Sequence, residues 1–107
     1  KDLRMRLIDI TEGYDSGSFL TLVGRALAGS APAITQFLAT EPEQLARYNH
    51  SITQGLRNKD RSVIEDVHSI LNDLQSTGHI NEFRDIRSVR QLFDVVRQAI
   101  GQQRQQR

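Results

Sequence analysis

The chain carries three histidines, His50, His68 and His79, and no cysteine. A thiolate metal site, a cysteine nucleophile and a disulfide framework are therefore excluded. What remains for chemistry is the imidazole, which near neutral pH can serve as nucleophile, proton carrier or metal ligand. The three histidines show no paired ligand spacing on one helical face, so no metal site is expected. His50 sits in Asn49-His50-Ser51, a glycosylation sequon that has meaning only in a secreted protein. His68 is the candidate. It follows Val67 at the border of an apolar stripe, where a helix would hold the base of the ring by packing and leave its tip within reach of solvent.

The element that positions His68 is the stretch 60–78, DRSVIEDVHSILNDLQSTG. Val63, Ile64, Val67, Ile70, Leu71 and Leu74 recur at steps of three and four, the spacing of one buried helical face. Asp60 supplies an acceptor for the first free amides, and Gly78 can take the left-handed conformation that stops a helix. Such a helix needs partners, and the rest of the chain supplies them. A short first helix is expected over 2–11, followed by a turn at 14–17. Ser18 is then a cap for a helix over 19–28, and Ser30 with Pro32 either kinks that helix or starts a new one reaching Ala39. Gly24 and Ala28, four apart, would permit close approach of a neighbour. Thr40 and Glu43 match a capping box around Pro42, opening a helix to about Arg57 with Leu45, Tyr48, Ile52 and Leu56 inward. Asp85 is expected to cap the last helix, whose stripe is Ile86, Val89, Leu92, Phe93, Val96 and Ile100. The sum is an all-α, antiparallel four-helix bundle with an additional short N-terminal helix. It is read as a single domain over 1–101 with a disordered polar tail, QQRQQR, at 102–107.

Bulk properties agree with a small helical domain. Apolar residues make up 37% and charged ones 25%, ordinary for a soluble fold. Fourteen basic against thirteen acidic side chains leave a net charge of +1, which gives no reason to expect nucleic acid or an anionic membrane as partner. No apolar run nears the ~18 residues that span a bilayer, no signal peptide is visible, and a cytoplasmic location is expected. A helix-turn-helix is not expected, because the connection after Gly78 is far longer than its usual short turn. A chain opening at Lys1 reads as a domain of something longer.

The order of parts resembles the histidine-containing phosphotransfer (HPt) domain of phosphorelays. That family's signature is a histidine after a small or apolar residue, a pattern close to H-x-L-K-G, and a glycine ten residues beyond the histidine. The run Val67-His68-Ser69-Ile70-Leu71-Asn72 with Gly78 is similar to it, as is the lead-in ITQGLRNKD over 52–60 and the opening Leu7-Ile8-Asp9 with Phe19-Leu20. The resemblance implies that His68 is the phospho-acceptor and passes a phosphoryl group between receiver domains of response regulators or a hybrid histidine kinase. It also implies that Glu65, Ser69, Leu71, Asn72 and Gln75 line the docking face. No cofactor of its own is implied, since the receiver brings Mg²⁺. Two positions depart from the pattern: Leu71 stands where the family has the lysine that balances phosphate charge, and Asn72 where it has the glycine that lets a receiver come close. Glu65 adds a negative charge near the same face, which disfavours a phosphorylated ring.

A second, weaker resemblance links 49–60 to the ligand-binding domains of GntR-type transcription regulators. Their later metal-binding histidine has no counterpart here, because Leu71 occupies its place. The alternative to phosphotransfer is accordingly a non-catalytic helical interaction or effector-sensing domain.

Overall fold

The computed structural model describes residues 16–105, the last three by backbone only, so the expected helix over 2–11 lies outside the described residues. The described chain is all-helical: α1 (Ser16–Leu27), α2 (Ala31–Leu38), α3 (Pro42–Arg57), α4 (Arg61–Ser76), a 3₁₀ turn (Phe83–Asp85) and α5 (Val89–Gln105). No strand occurs among these residues.

Three of the helices stop by one device. Past the end of α1, Ser30 N donates to Arg25 O and Gly29 N to Ala26 O; past α3, Asp60 N donates to Gly55 O and Lys59 N to Leu56 O; past α4, His79 N donates to Leu74 O and Gly78 N to Gln75 O. This paired reach-back satisfies carbonyls that would otherwise be orphaned, and it requires a left-handed residue just beyond the helix. Gly29 (φ 97°) and Gly78 (φ 81°) provide it, and at the third site Lys59 adopts it at φ 57°. The segment 18–39 is therefore two helices, broken at Gly29.

The helix starts differ from the sequence reading in three places. Ser18 lies inside α1 instead of capping it, and Ser16 and Gly17, expected in a turn, are helical. The box at Pro42 is shifted by one residue: Glu41 is the cap and its amide donates to Gln44 Oε1 at 3.2 Å. Thr40, displaced from that role, donates its hydroxyl to Gln36 O and closes α2. Asp85 does not cap α5. Its Oδ2 accepts from the amides of Asn81 and Glu82, fixing the 3₁₀ turn, while Ser88 Oγ accepts from Gln91 N at the true start of α5. Asp60 does cap α4, accepting from Ser62 N at 3.1 Å. At its far end α5 continues through Gln102–Gln105, four of the six residues read as a polar tail.

Packing is organised on α1, not on α4. Helix α1 contacts α2, α3, α4 and α5, and α3 in turn contacts both α4 and α5. Phe19 is the aromatic hub: its ring stacks on Tyr48 of α3 (centroids 4.0 Å), meets Phe93 of α5 edge-on (5.4 Å) and tilts against Phe37 of α2 (5.9 Å). Around it Leu20, Val23, Ile52, Leu74, Leu92, Val96 and Ile100 are fully buried, and burying each such side chain is worth about 1.5–3 kcal/mol. Two residues of the expected stripes point outward instead, Ile64 at 39% exposure and Leu38 at 36%. Gly24 has open space where a Cβ would stand; the close approach is made by Gly55, beside Val63 of α4.

Candidate functional site

His68 lies mid-way along α4, on a helix pinned from below by buried Val63, Val67, Ile70 and Leu74. At about 100° per residue, the ring falls on the far side of the helix from that row. It is exposed. The ring of Phe83, from the 3₁₀ turn, lies against it in a T-shaped contact with centroids 4.6 Å apart and planes at 80°. Neither ring nitrogen has a hydrogen bond or ion pair to any described residue.

The turn that carries Phe83 is held firmly. Ile80 is buried beneath it, Gln75 Nε2 of α4 donates to Asn81 O at 2.9 Å, and Asp85 ties together the amides of residues 81 and 82. Phe83 thus forms a fixed wall on one flank of the exposed His68 ring. Phe83 lies outside the helical stripes that the sequence defines. Its contact with His68 depends on how the segment 77–88 folds back across α4, which no local pattern in the sequence encodes.

The five residues expected around His68 separate into three groups. Glu65 and Asn72 are exposed and lie within about 60° of His68 on the helix surface. Gln75 shares that face, but its amide is occupied by Asn81 O. Leu71 turns toward the core and is half-buried, packed, like Ile86, against the cluster that includes Val67 and Leu92. Ser69 is exposed but about 100° away from His68. The face that surrounds the ring is therefore Ile64, Glu65, Asn72 and Phe83, with Ile64 supplying an exposed apolar side chain.

The other histidines are set differently. His79 has both ring nitrogens engaged, Nδ1 with Thr77 Oγ1 at 2.7 Å and Nε2 with Gln102 Oε1 at 2.8 Å, and so joins the end of α4 to α5. His50 is exposed on α3 with no neighbour fixed against its ring. No three His, Cys, Asp or Glu side chains among the described residues are grouped so as to hold a metal ion. No helix among them is long and apolar enough to cross a membrane.

No protein-family model, curated protein or solved structure matches this chain. The chemistry of the site therefore rests on its own geometry. An exposed imidazole fixed at its base, with neither nitrogen bonded to a described residue, is able to attack an electrophile brought by another molecule. Several groove-like depressions lie between the described helices, two of them beside α4. One, of about 710 Å³, lies between the first turns of α1 and α4 and includes Asp60 and Asp66. The other, of about 400 Å³, opens between α3, α4 and α5 and includes Leu71.

Proposed function

We propose that the protein is a phosphorelay module in which His68 accepts a phosphoryl group from a receiver aspartate and delivers it to another. The observation that carries the reading is the state of the His68 ring: exposed, braced on one flank by Phe83, and with neither nitrogen bonded to any described residue. The contacts of α1 with α3, α4 and α5, and of α3 with α4 and α5, support the finer description of the core as a four-helix bundle of the HPt kind.

In the transfer, a lone pair on one imidazole nitrogen forms a bond to phosphorus as the acyl phosphate's O–P bond breaks. The receiver's aspartate leaves as a carboxylate, and the other ring nitrogen retains its proton. Donation to the next receiver is the same displacement in reverse. Little catalytic machinery is needed on the histidine side, because phosphoryl transfer is governed by in-line positioning and by charge stabilisation. The receiver supplies Mg²⁺ and basic groups for the latter. That suits a site in which Leu71 replaces the family's lysine and no cation is paired with His68. The docking face is the exposed side of α4, with Ile64 and Phe83 as apolar contacts and Glu65, Asn72 and Ser69 at its rim. The module acts in the cytoplasm, where receivers and kinases are found.

Incubation with receiver domains charged by a small phosphodonor tests this. The expected product is a label on the protein that is acid-labile and alkali-stable, and that is absent from His68→Gln. A protein that stays unlabelled by every receiver refutes transfer. In that case the second reading, a non-catalytic interaction or effector-sensing domain, is favoured by the groove that Leu71 lines.

A further inference from the structure

The groove between α3, α4 and α5 has a composition that the phosphorelay reading does not use. Its apolar surface comes from Leu56 of α3, Leu71 of α4 and Ile86 just before α5, over the buried Val89 and Leu92, and its volume is about 400 Å³. That size is within the range of small-molecule sites, which are mostly apolar with a few placed polar groups. Two guanidinium groups line it as well, Arg57 at the end of α3 and Arg87 just before α5. Both residues are exposed, and neither forms an ion pair with any described residue. None of the described residues lining the groove is acidic.

A surface arginine gains little from being left alone, and its planar fork matches a carboxylate in two-point fashion. Two arginines of like charge with no ion-pair partner among the described residues, beside an apolar trough to which those residues bring no acid, are complementary to one kind of occupant. We infer that the groove binds a small amphipathic monocarboxylate, its hydrocarbon body on Leu56, Leu71 and Ile86 and its carboxylate between Arg57 and Arg87. A neutral apolar molecule would leave the two cations unanswered, and a compact polar anion would leave the trough wet. His68 does not line this groove, so the inference stands independently of phosphotransfer.

The test uses octanoate as probe, with octanol as the neutral control and acetate as the short one. ¹⁵N-labelled protein is titrated and amide shifts are followed, in both the parent chain and His68→Gln. Octanoate is expected to produce saturable shifts at residues of the groove (Leu56, Leu71, Val89, Leu92), equally in the two proteins. Octanol and acetate are each expected to bind at least tenfold more weakly. The exposed double variant R57Q/R87Q should keep the parent's amide spectrum outside the groove and lose about tenfold in octanoate affinity, the combined worth of two solvent-facing ion pairs. Absence of saturation, shifts centred elsewhere, equal binding of octanol, or unchanged affinity in R57Q/R87Q would each overturn the inference. Loss of labelling at His68 with octanoate binding intact would overturn the relay alone.

Discussion

Gly55→Ala is expected to destabilise the protein even though alanine is the better helix former. Gly55 is inside α3, where replacing glycine by alanine ordinarily gains about 1 kcal/mol. A Cβ at that position would stand 2.9 Å from Val63 Cγ2, and 3.2 Å from both its Cβ and its Cγ1. Val63 is buried in the first turns of α4, and a β-branched side chain in a helix has essentially one rotamer, so it cannot swing aside. Relief then requires α3 and α4 to move apart, and overpacking of this kind costs about 1–3 kcal/mol. The repulsion wins, with a net loss of about 1 kcal/mol, equivalent to a fall of roughly 4–8 °C in Tm for a domain near this size. Gly24→Ala is the internal control: it too is helical, but nothing lies within 4 Å of the added Cβ, and it should gain about 0.5–1 kcal/mol. Urea unfolding followed by helical circular dichroism reads both, with the m-value expected to be unchanged. In the double variant G55A/V63A the two losses should be less than additive, because the added methyl fills space that Val63 vacates. The reasoning is refuted if Gly55→Ala stabilises the protein as much as Gly24→Ala does.

Three further changes test individual parts of the frame. Lys59→Gly, at the one left-handed non-glycine residue among those described, should stabilise by about 0.5–1 kcal/mol in the same unfolding assay, since the strain of a Cβ at that φ is removed. Asp60→Ala removes the acceptor for Ser62 N and should cost about 1 kcal/mol, whereas Asp60→Asn should cost much less. Phe83→Ala removes the ring lying against His68; the His68 ring resonances should shift in proton NMR while those of His50 stay in place.

Helix α4 was legible from its residues because every signal that defines it is local. The stripe of Val63, Val67, Ile70 and Leu74, the Asp60 cap and the Gly78 stop all lie within one stretch, and all are as the pattern required. The start of α5 was not, since Asp85 and Ser88 are equally good caps in isolation. The choice falls to Ser88 because Asp85 is consumed by the amides of the 3₁₀ turn. The identity of the tight glycine could not be read either: Gly24 and Gly55 differ only in what another helix brings to them. The central place of α1 has the same origin, because Phe19 becomes a hub only when Tyr48, Phe37 and Phe93 arrive from three other helices. At the candidate site, the exposure of His68 followed from its helical phase. The splitting of its expected neighbours did not, since Leu71 is drawn inward by the core cluster, and Gln75 by a loop carbonyl.

The central claim is that His68, and not merely any exposed imidazole, takes a phosphoryl group from a receiver. Mapping phosphohistidine by mass spectrometry after exposure to charged receiver domains tests it most directly, because His50 is equally exposed and serves as the comparison within the same molecule. Modification at His68, with His50 and His79 unmodified, is the predicted result. Modification of His50 to the same extent, or of no histidine at all, would contradict it.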